Sequence, residues 1–173
     1  MIATAVFSVV LLLCATALVT IGNMYRRGIT SSAAQETARS IMSTLQNDIQ
    51  YSGGEYTKLN EDVFCVGNNR YALRAASPAS NGFDSFTSEF VNDCKTTLIS
   101  SPGTDPKELL GKNMRLLEKV ASQPPGSSSV QLTVNVAFGD SDLLSENGNC
   151  NGGPGSQFCA TSKLVSNASR RVQ

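Results

Sequence analysis

The sequence predicts an α+β protein in which one long N-terminal helix packs on a small antiparallel sheet. Two observations predict the helix: no charged residue precedes Arg26, and an amphipathic pattern continues from there to Gly53 and Gly54. A third predicts the sheet, because residues 55–173 contain short apolar runs separated by turn-forming residues. We therefore divide the chain into an apolar segment (1–25), an amphipathic continuation (26–54) and a β-rich domain (55–173).

The apolar segment has the length of a membrane-spanning helix. Residues 1–21 contain no charge, and at 1.5 Å per residue they extend about 30 Å, the thickness of the hydrocarbon core. A secretory signal peptide is the competing interpretation, but the stretch lacks the basic start of such a peptide. Cys14, inside this run, is expected to act as a small buried apolar residue.

Small hydroxyl-bearing residues recur at four-residue steps in this segment, with one leucine at the missing step. The series is Thr4, Ser8, Leu12, Thr16 and Thr20. Two interpretations stay open. The hydroxyls are tolerated in a membrane helix because they bond their own backbone, or the helix leaves lipid and packs against copies of itself through this stripe.

The amphipathic continuation carries apolar and small residues at the spacing of one helix face. These residues are Ile29, Ala33, Thr37, Ile41, Leu45 and Ile49. Polar residues occupy most of the other positions, so we expect this face to cover the sheet. Residues 1–54 together predict a helix of about 75–80 Å, with Gly28 and the Thr30-Ser31-Ser32 run marking a hinge or a new cap.

The β-rich domain contains one clear strand and several weaker ones. Val130–Phe138 alternates apolar and polar residues, and Val63–Val66 with Tyr71–Ala75 predicts a hairpin. Thr96–Ser100 and Met114–Val120 are weaker strand predictions, and Thr161–Val172 is predicted to be a strand or a helix. Ser101–Pro106 is predicted to be a loop because of its proline and glycine content.

Four cysteines lie in the polar part of the chain, and an even count in a loop-rich exported domain favours two disulfides. Three pairings are open. Cys150 with Cys159 is favoured because the intervening Gly/Asn/Ser-rich residues close easily, which leaves Cys65 with Cys94. A metal site is the weaker interpretation, since the chain has no Cys-x-x-Cys motif and no histidine.

Composition argues against an enzyme and against nucleic-acid binding. The absence of histidine removes the commonest general base, and the zero net charge comes without a basic cluster. We expect no cofactor, with calcium as the one alternative. Asp140 and Asp142 are its candidate ligands, although their spacing does not match an EF-hand and such residues commonly form turns.

Two stretches resemble the type IV pilin and type II secretion pseudopilin family, most closely its minor, J-type members. Met1–Ser8 resembles the run that follows the family's N-terminal glutamate, and Gln35–Ser40 with Leu45–Gly54 resembles the end of the pilin helix. The resemblance covers about residues 1–54. In the family a basic leader and a Phe-Thr-Leu-Ile-Glu start precede such a run, and we expect Met1 to lie just downstream of them.

The resemblance implies a structural subunit of a pilus-like filament, with a priming, tip or adhesion role. It implies other pilin subunits, the pilus assembly machinery and, before assembly, membrane lipid as partners. The implied location is the bacterial cytoplasmic membrane, spanned once with the domain outside, and then a cell-surface filament. Arg26 and Arg27 alone would favour the reverse orientation, whereas the cysteines favour export.

A different class of function stays open beside this one. A single-span, membrane-anchored extracellular binding module would have the same anchor and the same exported domain but would not polymerise. The sequence also leaves open whether the filament is a pilus or a secretion pseudopilus.

Overall fold

In the computed structural model the chain begins with one helix, α1 (Ile2–Tyr51), which is 50 residues long. The structure describes residues 2–51, 55–74, 82–91, 94, 104–124, 127, 129–145, 149–151, 153 and 155–170. At 1.5 Å per residue α1 is about 75 Å long. It runs without interruption through Gly22 and Gly28, so the predicted hinge or new cap near residue 28 is wrong.

The described part of the domain contains a meander of five antiparallel strands, in which each strand pairs with the next along the chain. The strands are β1 (Tyr56–Lys58), β2 (Val63–Val66), β3 (Asn69–Arg74), β4 (Ser85–Phe90) and β5 (Thr104–Glu108). The predicted hairpin is the pair β2 and β3, joined through a turn that includes Gly67, whose φ is 58°. Thr96–Ser100 lies outside the described residues.

The second sheet is built around one long central strand. Its strands are β6 (Met114–Leu116), β7 (Ala121–Ser122), β8 (Ser129–Phe138) and β9 (Ala160–Ser169). All ten residues of β8 pair with β9, so β6 and β7 share the other edge of β8. The strand predicted at Val130–Phe138 is confirmed as β8, and the uncertain C-terminal segment is a strand, β9.

The fold is α+β as predicted, with two antiparallel sheets where the sequence suggested one. A bridge between Phe83 and Leu116, with N–H···O distances of 2.7 and 2.9 Å, joins the two sheets. The helix contacts β8 and β9. Its residues share one core with Phe64, Tyr71 and Phe86 of the first sheet and with the inward side chains of β8.

Alternation along β8 explains how the helix and the second sheet meet. Val130, Leu132, Val134 and Val136 are buried, while the residues between them are half-buried or exposed as far as Asn135. Because successive side chains of a strand point to opposite faces, these four form one apolar surface. That surface belongs to the core that the helix closes.

Candidate functional site on the N-terminal helix

The first half of α1 buries no side chain against the described residues. Every side chain from Ala3 to Ile29 is exposed, and the apolar ones from Val6 to Ile21 that are large are each 50–70% exposed. The most apolar 18-residue window has a mean hydropathy of 2.5 and none of it is buried. This helix is therefore long and apolar enough to cross a membrane. Cys14 is exposed rather than buried, because nothing in the described chain covers this segment.

The hydroxyl groups of Ser8, Thr16 and Thr20 in the four-residue series bond to their own helix. Ser8 Oγ donates to the Thr4 carbonyl, Thr16 Oγ1 to the Leu13 carbonyl and Thr20 Oγ1 to the Thr16 carbonyl, each at 2.9 Å. Their hydrogen-bonding capacity as donors is thus used locally. What the series offers a neighbouring helix is small size, which allows close approach.

The geometry of α1 also limits how such a neighbour could lie. Each four-residue step turns a side chain about 40° past a full helical turn. Thr4 and Thr20 are therefore about 160° apart, and the series winds around the helix rather than following a straight face. A neighbouring helix can follow the series only if the two axes cross at an angle, as in packing along rows of residues four apart.

The second half of α1 packs against the domain, but the packing face differs from the predicted one. Ile41, Leu45 and Ile49 are buried, and Ala33 and Thr37 are half-buried. Ile29 is 51% exposed, so its assignment to the helix–sheet contact is wrong. The buried residues are Thr30, Ala34, Ala38, Ile41, Met42, Leu45 and Ile49.

The same rotation explains the error at Ile29. A series spaced strictly by four, counted back from Ile49, has turned by about 200° when it reaches residue 29. The observed buried positions instead average the 3.6-residue helical period, which selects Thr30, Ala34 and Ala38. A fit to that period, rather than to a spacing of four, would have found these small residues.

The free and packed halves of α1 meet at a contact with the C-terminal loop. Arg26 places its guanidinium carbon 5.4 Å from the centre of the Phe158 ring, within cation–π distance. Arg27 Nη2 donates to Ser156 Oγ at 3.3 Å, and Thr30 Oγ1 lies 3.5 Å from the Gln157 carbonyl. We call these six residues the helix–loop contact; its loop side is the 3₁₀ turn Ser156–Phe158.

The four cysteines of the domain form the pair that its short loop favoured and the pair that this choice left. Cys150 and Cys159 are disulfide-bonded, with Cα atoms 5.7 Å apart, and they close the loop that carries the 3₁₀ turn. Cys65 and Cys94 form the second disulfide, with Cα atoms 6.3 Å apart. This bond ties β2 to the segment that follows β4. Both bonds are expected to stabilise the domain mainly by restricting its unfolded chain.

A polar group holds the end of α1 against the first sheet. The Asp48 carboxylate accepts hydrogen bonds from the Tyr71 hydroxyl and, at 2.7 Å, from Asn69 Nδ2. Tyr71 is fully buried. Burial raises the pKa of its hydroxyl well above the ordinary value, and the Asp48 carboxylate raises it further.

Replacing Tyr71 with phenylalanine should lower the free energy of unfolding by about 1–2 kcal/mol, because Asp48 loses a hydrogen bond in a half-buried position. The pH dependence gives a second readout. Unfolded tyrosine releases its proton near pH 10, whereas folded Tyr71 keeps it. The free energy of unfolding should therefore fall by up to about 1.4 kcal/mol per pH unit above pH 10. Tyr71→Phe should remove that part of the alkaline slope in unfolding titrations. An unchanged slope would contradict the assignment.

The two proposed calcium ligands do not lie within a metal-binding cluster of the described residues. Asp140 and Asp142 are both exposed, beside and within the 3₁₀ turn Ser141–Leu143. Their backbone carbonyls accept from Leu143 N at 3.1 Å and from Asn151 Nδ2 at 3.3 Å. No group of three or more His, Cys, Asp and Glu residues in the described chain could hold a metal ion.

A cleft of about 380 Å³ opens between β1 and β7. Tyr56 and Phe64 contribute aromatic surface to it, and the Tyr56 hydroxyl donates to the Ala121 carbonyl at 3.2 Å. Burial raises the pKa of Tyr56. Lys119 and Glu61, which also line the cleft, form an ion pair.

Searches against protein-family models, curated proteins and solved structures found no match for this chain. The fold and the exposed segment therefore carry the functional argument. They define a class of protein: an α+β domain on one uninterrupted helix whose free half is apolar all round and long enough to cross a membrane.

Proposed function

We propose that this chain is a structural subunit, of the minor pilin or pseudopilin kind, of a pilus-like filament. The single observation that supports it most is the division of one uninterrupted helix into a free apolar half and a half packed on the domain. The free half lies in lipid before assembly and among the helices of other subunits afterwards. The domain lies outside the membrane, where its disulfides are stable.

The small-residue series supports assembly over permanent anchoring. Lipid solvates any apolar helix surface, whereas packing against another helix in the absence of water depends on close approach. Ser8, Thr16 and Thr20 supply small side chains whose hydroxyls are already bonded within the helix. They can therefore enter a helix–helix contact without leaving a donor unpaired.

The proposal predicts that enlarging this series blocks assembly but not membrane insertion. In the double variant Ser8→Leu, Thr16→Leu the segment becomes more apolar, so it should still be found in membranes. Its incorporation into sheared filaments should fall at least about tenfold, which corresponds to 1.4 kcal/mol of lost packing. Immunogold labelling and quantification of the filament fraction measure this.

The matched control enlarges the same segment outside the series. Val9→Leu with Val19→Leu adds apolar volume at positions that are also exposed, and it should assemble as the unchanged protein does. The proposal is wrong if the unchanged protein is found only in membranes and never on filaments or their tips. If both double variants assemble into filaments equally well, the four-residue series has no role in assembly.

The second candidate function is an anchored binding module, and the cleft beside β7 is the observation that favours it. Its aromatic surface from Tyr56 and Phe64 and its charged rim could hold a small polar ligand. Under this alternative the protein is absent from filaments, and the double variant Tyr56→Ala, Lys119→Ala loses ligand binding in the cleft. Loss of filaments in the Ser8→Leu, Thr16→Leu variant would instead support the first proposal.

A further inference from the structure

The helix–loop contact lies where a membrane-spanning α1 would leave the hydrocarbon core. The uncharged part of the helix ends at Tyr25, and Arg26, Arg27 and Thr30 follow at once. From Tyr25 to Thr30 the helix rises about 7–8 Å, close to the thickness of one headgroup layer. The loop closed by the Cys150–Cys159 disulfide is therefore held beside α1 at headgroup depth.

The exposed side chains at this level have the chemistry of a membrane interface. Tyr25 is 70% exposed and Phe158 is 40% exposed, and aromatic residues are enriched at this depth in membrane proteins. Arg26 and Arg27 are exposed cations on the same turn of the helix. Basic residues immediately beyond a membrane span are attracted to anionic lipid headgroups.

The position of Phe158 is fixed from two sides. Its amide donates to the Gly155 carbonyl at 2.8 Å within the 3₁₀ turn. Its carbonyl oxygen lies close to Gly139, the residue that follows β8 and has a φ of 135°. A Cβ atom added at Gly139 would lie 3.1 Å from that oxygen. The turn thus lies close to the end of the second sheet as well as to Arg26, which places the Phe158 ring beside α1.

The charges at this end of the domain are mixed. Asp140 and Asp142 are exposed in the neighbouring turn and would oppose binding to anionic lipid. Arg26 and Arg27, by contrast, are on α1 directly beyond its uncharged part, and the Phe158 ring lies against Arg26. For this reason we assign the lipid contact to the arginines and to Phe158 rather than to the whole end of the domain.

We propose that the helix–loop contact is a lipid-binding surface: the Phe158 ring and the Arg26 and Arg27 guanidinium groups lie among the phosphates of anionic lipids of the membrane that α1 spans. This rests on the membrane-anchored stage of the proposed function. It adds that the C-terminal disulfide loop holds the domain upright on the bilayer until the subunit is extracted into a filament.

The chain contains no tryptophan, so single tryptophans can report depth directly. The full chain is reconstituted into vesicles of phosphatidylcholine with and without phosphatidylglycerol, carrying lipids brominated close to the headgroup. Three variants are compared: Phe158→Trp, Tyr25→Trp and Val165→Trp. Val165 is 57% exposed on β9. It lies five residues beyond Ala160, about 17 Å further along the strand.

β9 runs away from the membrane along α1, which makes Val165 a matched control. Gln157, before the strand, lies near Thr30, whereas Ser166 Oγ accepts from Gln46 Nε2 at 2.7 Å. Tryptophan at 158 should be quenched by the brominated lipid nearly as strongly as tryptophan at 25, and at least about twofold more than at 165. In vesicles with phosphatidylglycerol, Arg26→Gln with Arg27→Gln should reduce the quenching at 158 and leave it unchanged at 165.

The outcomes separate the two proposals. If tryptophan at 25 is not quenched, the helix does not span the bilayer and the membrane stage of the proposed function fails. If tryptophan at 25 is quenched while tryptophan at 158 is quenched no more than at 165, only the lipid-binding surface is overturned.

A measurement on the unchanged chain guards against misfolding of the variants. Amide hydrogen exchange of Ser156–Phe158 should be at least about fivefold slower in vesicles containing phosphatidylglycerol than in vesicles of phosphatidylcholine alone. Equal exchange rates would count against the surface.

Discussion

Replacing Glu89 with alanine is expected to lower the free energy of unfolding by about 3–5 kcal/mol, because it leaves the buried Arg70 guanidinium without its counter-charge. The two residues face each other across β3 and β4, and their side chains are only 4% and 9% exposed. In denaturant unfolding of the detergent-solubilised chain, this should be among the largest effects of any single substitution in the first sheet.

Two controls identify burial as the cause. Glu61→Ala breaks the ion pair with Lys119 at the surface, where screening by water leaves no measurable loss of stability. The double variant Arg70→Met, Glu89→Leu replaces both charges by apolar groups and should recover most of the stability lost in Glu89→Ala. If the double variant is as unstable as the single one, the cost arises from lost packing rather than from an uncompensated charge.

Leu45→Ala is expected to destabilise the domain by about 2–5 kcal/mol, through lost apolar burial and the cavity that remains. Leu45 is fully buried in the core that α1 shares with both sheets. Because the helix covers the sheets through this face, the loss should also loosen the attachment of the domain to α1. Thermal or denaturant unfolding in detergent measures the first effect, and limited proteolysis between α1 and β1 measures the second.

Ile29→Ala is the matched comparison, because it removes a similar side chain from the same helix at a position that is 51% exposed. Its effect should stay below about 1 kcal/mol. Comparable losses in the two variants would contradict the exposure of Ile29 and support its place on the packing face.

The features that the sequence could predict were those with strong local signals. The helix followed from an uncharged run joined to an amphipathic one, and β8 followed from strict alternation between Val130 and Phe138. The cysteine pairs followed from one short, flexible loop between Cys150 and Cys159. In each case the local physics is nearly sufficient to determine the local structure.

The features that were missed depend on partners far apart in the sequence. β5 includes Pro106, and Ser101–Pro106 was expected to be a loop. Proline is accepted there because β5 is the last strand of its sheet, where a missing N–H donor need not break the ladder. The helix–loop contact joins Arg26 to Phe158, and neither residue carries a local signal for the other. Thr30 was missed for a different reason: the packing face was sought at a strict spacing of four rather than at the 3.6-residue period.

Because α1 is uninterrupted from Ile2 to Tyr51, the height of the domain above the apolar half and its rotation about the helix axis are coupled. Lengthening the helix by one residue before Arg26 would raise the domain by about 1.5 Å and turn it by about 100° relative to whatever surrounds the apolar half. Seven added residues would restore its heading to within about 20° but lift it by about 10 Å. The length of helix that precedes Arg26 thus sets both the height of the domain along the helix axis and the direction in which its outer surface faces.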